Sequence, residues 1–258
     1  MVELVEHFTL AQGERRLDIP KVGQITFSAL ADGVDISSSE DIGMTVTQAT
    51  TSEVGAKVIL TDKLVRQENE DIWKVVGRQL GDGLGRIKDT DLLGLFSALN
   101  GGTSLGAAGA TLTLANMAGC IDFAKRNKFS RPQMIVVHPT SLFDVVHQSA
   151  AIPSMTSPIP AGFSEDLLRD FYAFKVNQVP VFEDGNITID ASDDMIGAIL
   201  AKNALGFLES VGFSEERERD ASLRATELVM VADYGAFELD DAEGAPMTYD
   251  AAQVSTSA

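Results

Sequence analysis

A long amphipathic segment at residues 71–99 constrains the fold of this chain more than any other feature of its sequence. Apolar residues recur there at the three- and four-residue spacing of one helix face, and most charged residues lie opposite. The spacing predicts a long helix over residues 71–99. The apolar residues are Ile72, Val75, Val76, Leu80, Leu84, Ile87, Leu92, Leu95, Phe96 and Leu99, with Lys74, Arg78, Asp82, Lys88 and Asp89 mostly opposite.

Glycines interrupt this predicted helix at Gly77, Gly81, Gly83, Gly85 and Gly94. Each glycine inside a helix costs up to about 1 kcal/mol relative to alanine, so the glycines need a reason. Two interpretations stay open. Either another chain segment approaches the helix closely at the glycines, or the helix is broken near residues 81–85.

The chain before this helix is poor in large apolar residues. Residues 1–20 are predicted to form an irregular arm, which frays unless something holds it. Residues 23–61 form a polar excursion whose two ends, 23–28 and 54–60, alternate with the period of a strand. An isolated two-stranded hairpin is marginal in water, so the excursion requires a neighbour to lie on.

The chain after the helix has a mixed pattern of helices and strands. Residues 100–110 are predicted to form a mobile loop, and Thr113 is expected to cap a helix that ends near the basic residues Lys125, Arg126, Lys128 and Arg131. Thr140 or Ser141 is expected to cap a second helix that runs to His147. Further predictions are strands at 134–137, 179–182, 187–189, 195–201 and 205–208, a short helix at 164–174, long strands within 221–240, and a small polar tail after Gly244.

Charge and composition exclude several classes of function. The formal charge of −18 argues against polyanion binding by the surface as a whole, although a local patch could touch DNA. Residues 209–243 carry eleven Asp and Glu against three Arg, a net of −8, and must face solvent, counterions or a basic partner. Neither a membrane-spanning helix nor a secretory signal is expected. The single Cys120 excludes an intrachain disulfide and suits a reducing compartment.

No catalytic, cofactor-binding or metal-binding residue is predicted, and the chain is not expected to be an enzyme. The glycines at 81–85 lack the preceding strand of a phosphate-binding loop, and residues 101–110 lack its Gly-Lys-Ser/Thr ending. His138 and His147 have no metal-ligand spacing, and Cys120 is interpreted as a small buried hydrophobe. The carboxylate pairs Asp193–Asp194, Glu215–Glu216 and Asp240–Asp241 are interpreted as solvated or turn residues rather than as acid–base pairs.

The order of these segments resembles that of the major capsid proteins of tailed bacteriophages, the Caudoviricetes. An arm, a polar extended loop, a long helix and a mixed region that returns to long strands follow one another over residues 1 to 245. Three local sequences add to the resemblance: RPQMIVVHP at 131–139, VPVF at 179–182 and SLRATELVMVADYG at 222–235. On these grounds the chain is identified as a member of that family, which has the Hong Kong 97 fold.

The resemblance implies an α+β fold with the parts that this family shares. These are an N-terminal arm at 1–22, an extended loop (E-loop) with flanking strands at 23–61, and the spine helix of the P-domain with a following loop at 62–110. The mixed α/β A-domain would comprise 111–203, the P-domain strands 204–245, and a C-terminal tail 246–258. No long scaffolding segment precedes the arm, so the scaffold would be a separate protein or the chain a processed form.

The implied function is self-assembly of a structural protein into an icosahedral capsid of pentamers and hexamers that encloses double-stranded DNA. The protein would reside in the virion, after assembly in the host bacterial cytoplasm. The partners would be further copies, scaffold, portal and cement or decoration proteins, and DNA contacted weakly and without sequence specificity, with no membrane. The alternative is an encapsulin-like compartment that encloses cargo enzymes.

The founding member of the family links its subunits covalently through a lysine of the extended loop. Residues 22–56 contain neither Lys nor Arg, so this chain is not expected to form that link.

Overall fold

The computed structural model describes residues 1–11, 13–22, 29, 32, 43–67, 71–148 and 172–252. The strand predicted at 23–28 lies outside these residues, as does most of the helix predicted at 164–174. The helices are α1 (Asp62–Gln67), α2 (Ile72–Gly94), α3 (Leu114–Arg126) and α4 (Pro139–Gln148). The strands are β1 (Glu6–Thr9), β2 (Leu17–Val22), β3 (Met44–Ala49), β4 (Ser52–Thr61), β5 (Leu105–Gly106), β6 (Gln133–Val137), β7 (Tyr172–Val176), β8 (Val179–Glu183), β9 (Asp194–Ala201), β10 (Leu205–Asp220), β11 (Ala225–Glu238) and β12 (Gly244–Asp250).

The long helix is confirmed, and it is continuous. Helix α2 runs through all of residues 81–85, and a 3₁₀ turn at Leu95–Ala98 extends it. The interpretation of a helix broken at the glycines is therefore wrong. Close approach within the chain does not explain the glycines either, because a methyl group added at any of the five would meet no atom within 4 Å. The buried residues lie at the C-terminal end, at Leu92, Leu93, Phe96 and Leu99.

A four-stranded sheet has the order β1-β10-β11-β4. Strand β1 is parallel to β10, whereas β11 is antiparallel to both of its neighbours, β10 and β4. Beyond the end of β1 the sheet continues as three strands, and we call residues 52–61, 214–220 and 225–231 the distal ribbon. The strand predicted at 205–208 thus extends much further, to Asp220, because charged residues continue the alternation where apolar ones stop.

The predicted arm and excursion are tied to the chain more firmly than expected. The arm is not irregular: Leu4 and Val5 are buried and β1 joins the long sheet, while β2 pairs with β3. The strand predicted at 54–60 is confirmed as β4, but it pairs with β11. Backbone pairing with distant strands therefore orders segments that carry few large apolar side chains.

A six-stranded sheet has the order β5-β12-β9-β6-β8-β7. Its strand β12 corrects the prediction of a small polar tail after Gly244, because Ala245, Met247 and Tyr249 are buried in the core. The tail was predicted because small and polar residues predominate after Gly244, but Ala245, Met247 and Tyr249 alternate and face the core. Helix α3 and the 3₁₀ turn after α2 cover the sheet with Phe96, Met117 and other apolar side chains.

Several local predictions in this region are confirmed. Thr113 caps α3, its hydroxyl accepting a hydrogen bond from the Asn116 N–H at 3.1 Å. Cys120 on α3 is buried, with 4% of its surface exposed. The predicted strands at 134–137, 179–182 and 195–201 correspond to β6, β8 and β9.

Other local predictions are wrong. Helix α4 begins at Pro139, so neither Thr140 nor Ser141 caps it; the Thr140 N–H donates to His138 Nδ1, and the Ser141 hydroxyl donates to the Asp250 carbonyl. Residues 172–174 belong to β7 rather than to a helix. The strand predicted at 187–189 is only an isolated bridge between Ile189 and Met195. The loop at 100–110 contains a 3₁₀ turn and β5.

Candidate functional site

An apolar groove separates the middle of α2 from the sheet that it crosses. Val54, Ala56 and Met230 line the sheet side, and Leu80 and Leu84 line the helix side, around a volume of about 280 Å³. These sheet residues share one face, since they are paired in register across β4 and β11. The N-terminal part of α2 therefore buries only part of its apolar face within one copy of the chain.

Lys88 fastens α2 to the sheet beside this groove. Its Nζ donates to Glu209 Oε1 at 2.9 Å and to the Gly212 carbonyl at 3.3 Å, and it lies 5.5 Å from the ring centroids of Phe207 and Tyr234. Only 14% of the Lys88 side chain is exposed. The prediction that placed Lys88 opposite the apolar face was wrong, because its long stem carries the ammonium back onto the sheet.

A second polar contact joins the same helix and sheet. The Tyr234 hydroxyl donates to Asp91 Oδ2 at 2.6 Å. Burial and the neighbouring carboxylate raise the pKa of Tyr234 far above its usual range, so the hydroxyl stays protonated and remains a donor. Lys88 and Asp91 thus position α2 over the sheet.

Two arginines on the distal ribbon hold the start of the helical region. Arg219 donates through both terminal nitrogens to the two carboxylate oxygens of Asp62, at 2.7 and 2.8 Å. This hydrogen bonding lowers the pKa of Asp62. Arg217 lies with its guanidinium 5.5 Å from the Trp73 ring centroid. Because these groups are exposed, the contacts orient α1 and α2 on the ribbon more than they stabilise the fold.

The opposite face of the distal ribbon is acidic. Glu216, Glu218 and Asp220 alternate along β10 on this face, and Glu227 of β11 pairs in register with Glu218. Lys57 of β4 forms an ion pair with Glu227. Hydrogen bonds from the Ser222 hydroxyl and from backbone N–H groups lower the pKa of Asp220, so it stays ionised at neutral pH. We call these four carboxylates the acidic face.

Large apolar side chains are exposed away from the core. Met44 on β3 is 64% exposed, Phe213 in the irregular part of β10 is 66% exposed, and Leu223 in the turn after β10 is 57% exposed. Scattered apolar side chains are ordinary on a protein surface, but here they lie at the start of a strand, at a strand irregularity and in a turn, away from the core. Such positions become buried when a second chain packs against those elements.

The residues considered for chemistry have structural partners. His138 Nδ1 accepts a hydrogen bond at the start of α4, and burial lowers the pKa of His138. Burial also raises the pKa of Cys120, whose Sγ lies 3.7 Å from the Tyr249 hydroxyl, so the thiol stays protonated. The side chain of His147 lies outside the described part of the structure. The glycines at 81–85 lie inside α2, where no phosphate loop forms.

Members of the carboxylate pairs also have structural partners. Asp194 accepts from the Gly109 N–H at 2.6 Å, and Asp241 accepts from the Gly101 N–H at 3.0 and 3.1 Å. Asp240 caps the turn at Asp241–Glu243. Glu215 pairs with Arg217. Among the residues that the structure describes, no group of three His, Cys, Asp or Glu could hold a metal ion. No helix in the same residues is long and apolar enough to cross a membrane.

Sequence reasoning missed the residues that organise these surfaces. The alternation of Glu215, Arg217 and Arg219 with Glu216, Glu218 and Asp220 was a signal for a two-faced strand, but the residues were judged only by their summed charge. Lys88 gave no signal, since its partners lie far away in the sequence.

No family model matches this sequence, and no curated protein is significantly similar to it. Solved structures are nevertheless similar to it over nearly its whole length. The capsid structure of the cyanophage P-SCSP1u is 14% identical with a TM-score of 0.71, and the match covers 97% of this chain and 87% of that one. The head structure of the Helicobacter pylori bacteriophage KHP40 is 11% identical with a TM-score of 0.74, covering 96% of this chain and 87% of that one.

The chain has the Hong Kong 97 fold. A similar structure of another kind is the holo-SrpI encapsulin complex from Synechococcus elongatus, at 12% identity and a TM-score of 0.69, with 100% of this chain and 89% of that one covered. At such identities the similarity establishes the fold alone. This is the Hong Kong 97 fold that the resemblance of the sequence predicted, an α+β fold with a long helix and long strands. Proteins with the Hong Kong 97 fold thus include both phage capsids and an encapsulin.

Proposed function

We propose that this chain is the major capsid protein of a tailed bacteriophage and that it assembles into an icosahedral shell around double-stranded DNA. The observation that carries the proposal is the match to phage capsid structures over nearly the whole chain. In this proposal the chain is a structural protein of the virion and not an enzyme. It assembles in the host bacterial cytoplasm, with scaffold, portal and cement or decoration proteins as further partners.

The mechanism that we propose couples the burial of exposed apolar surface to association. The apolar groove beside α2 and the exposed Met44, Phe213 and Leu223 lose their solvent contact only when another chain covers them. Burial of apolar surface contributes roughly 25 cal/mol per Å², so many weak contacts of this kind hold a closed shell together. The core and the contacts of Lys88, Asp91 and Arg219 keep each copy rigid enough for repeated packing.

The parts of the fold receive proposed roles. Residues 1–22 act as the N-terminal arm and 23–61 as the E-loop with its flanking strands. The helical segment at 62–110, with α2 as spine helix, and the strands at 204–245 form the P-domain. Residues 111–203 form the A-domain. Strand β12 lies in the six-stranded sheet with β9 and β6, so we move residues 244–250 to the A-domain, which ends the P-domain strands at residue 243 and removes 246–250 from the tail.

The second candidate function is an encapsulin-like compartment shell that encloses cargo enzymes. The observation that favours it is the similarity to the encapsulin complex, which spans the whole chain. The two functions share the same assembly chemistry and differ in what the shell contains.

Imaging of purified particles tests assembly directly. We expect negative-stain electron microscopy and light scattering of the purified chain to detect closed shells or capsomers. A compact monomer over a wide range of concentration and salt would contradict the proposal. Portal and packaging genes beside the coding sequence, together with nuclease-protected DNA in native particles, would support the phage function. Co-purification of one cargo enzyme in empty shells would support the compartment.

A further inference from the structure

A cationic surface lies at the end of α3. Four of the 20 Lys and Arg residues of the chain fall within residues 125–131, and all four are exposed. Arg126 forms one ion pair, with Asp122 at 3.1 Å, and both side chains are largely exposed. Within the described residues, Lys125, Lys128 and Arg131 form no ion pair. The four residues are Lys125, Arg126, Lys128 and Arg131, which we call the cationic end of α3.

Helix capping explains only part of this surface. Cations in the last turn of a helix complement its dipole, which accounts for Lys125 and Arg126. Lys128 and Arg131 follow the end of α3. Lys128 has φ of 59°, a left-handed conformation in which glycine or asparagine is favoured. The backbone conformation at residue 128 therefore does not account for a lysine.

The acidic face of the distal ribbon is complementary to this surface. Its residues Glu216, Glu218 and Asp220 repeat at about 7 Å along β10, a spacing set by the rise of two strand residues. Lys57 is paired with Glu227, which leaves the carboxylates of β10 in excess on this face. Within one copy, no ion pair of the described residues joins the acidic face to the cationic end of α3.

We propose that the cationic end of α3 of one copy docks on the acidic face of the distal ribbon of a second copy. This inference rests on the proposed function, since a shell places many identical copies against one another. Every copy carries a formal charge of −18, so two copies repel each other wherever their surface charges are not paired with opposite charges. A cationic surface opposite an acidic one removes that repulsion locally and fixes which faces meet. Long lysine and arginine stems let the cations reach carboxylates on a flat sheet.

Charge reversal in both surfaces tests the contact. We expect the double variant Lys125→Glu/Lys128→Glu to lower the assembled fraction about tenfold near 0.1 M salt, because attraction becomes repulsion. Glu216→Lys/Glu218→Lys should have a similar effect. A chain with all four substitutions should recover most of the assembly, because the two signs are exchanged together. The matched control Lys74→Glu/Arg78→Glu makes the same change of charge on exposed residues of α2 and should assemble like the wild type.

The folding of each variant is checked by circular dichroism and thermal melting, so that loss of assembly is not confused with loss of structure. Salt gives a second readout. The defect of each reversed variant should shrink as monovalent salt is raised, because screening weakens exposed charge contacts.

Zero-length carbodiimide cross-linking identifies the contact even if no reversed variant folds. Particles assembled from mixed ¹⁴N- and ¹⁵N-labelled wild-type chains should contain peptides that link Lys125 or Lys128 of one isotope to Glu216, Glu218 or Asp220 of the other. Shells without this link, or four-substitution chains that assemble no better than either double variant, would overturn the inference and leave the proposed function intact. Linked peptides found only in small oligomers that never form closed shells would support the inference and contradict the proposed shell function.

Nucleic acid is the competing partner for a cationic surface. Particles of Lys125→Glu/Lys128→Glu that assemble normally but contain less nucleic acid than the wild type would overturn the docking contact in favour of phosphate binding.

Discussion

Asp184 is a carboxyl group that is held in a buried position after β8. It is 3% exposed, and Oδ1 accepts a hydrogen bond from the Asn186 N–H at 2.9 Å. Burial raises the pKa of Asp184 above its usual value. An acid whose pKa is higher in the folded state ionises more readily when unfolded, so stability is lost as pH rises through its titration.

We therefore expect Asp184→Asn to raise the melting temperature at pH 7, since asparagine retains the acceptor and removes the buried charge. The gain should shrink as the pH falls from the raised pKa of the folded carboxyl towards that of the unfolded one, below which the wild type is protonated in both states. Calorimetry between pH 3.5 and 7.5 measures the difference, with the exposed Asp82→Asn as control. A lower melting temperature at pH 7 would show that the Asp184 carboxylate has a stabilising partner.

Replacing glycine by alanine should have opposite effects on stability at two positions of this chain. A methyl group at Gly235 on β11 would clash with the Thr50 carbonyl, whereas one at Gly85 on α2 would meet open space. We expect Gly235→Ala to lower the free energy of unfolding by about 1–3 kcal/mol because a backbone segment must move. Gly85→Ala should raise it by about 0.5–1 kcal/mol. Urea denaturation of the two variants gives both values, and equal effects would contradict the assigned surroundings.

The C-terminal strand β12 illustrates stability at the scale of an element. Met247 is fully buried between β9 and β5, although sequence patterns suggested a polar tail. We expect Met247→Ala to cost about 2–5 kcal/mol through lost burial and a cavity. Leu223→Ala, at a side chain that is 57% exposed, should change stability by less than about 0.5 kcal/mol. A cost at Met247 no larger than at Leu223, measured by denaturation, would place β12 outside the core.

The elements with strong local periodicity were predictable from the sequence. The apolar spacing of α2 and the cap at Thr113 depend on residues close together in the chain, and both were predicted correctly. Strand β12 was missed because small and polar residues predominate after Gly244, although Ala245 and Met247 pack into a distant core. Pairing partners were also missed, since β4 pairs with β11 across a separation that no short pattern records.

The surfaces were less predictable than the elements. The position of Lys88 beside the stacked rings of Phe207 and Tyr234 depends on the crossing of α2 over the sheet, which a helical pattern does not specify. The alternating charges of β10 indicated two faces, but the face that packs against the helices depends on the pairing of β10 with β11 and of β11 with β4. The fold itself was predicted from the order of segments along the chain, and the similar solved structures confirm it.

At the scale of the whole molecule, the stability of an assembled shell should be non-covalent. Covalent linkage through the extended loop needs a lysine there, and residues 22–56 contain none. We expect boiling in detergent to return a single monomer band on gels of purified particles. The described interactions of the chain, its apolar groove and exposed apolar residues, are all of a kind that detergent disrupts.

Mass spectrometry of the same sample provides the control. A ladder of covalent oligomers with linked peptides from residues 22–56 would contradict this prediction. Linked peptides from elsewhere would show that a different pair of side chains reacts.

The place of β12 in its sheet also bears on the order of synthesis. Between β5 and β9 a gap stays open until residues 244–250 have been made, because β12 occupies that position in the sheet. A chain whose translation stops earlier leaves the edge of β9 and the apolar groups beneath it uncovered, a state that quality-control proteases recognise. Chains that end before β12 should therefore be more sensitive to proteolysis than the full chain.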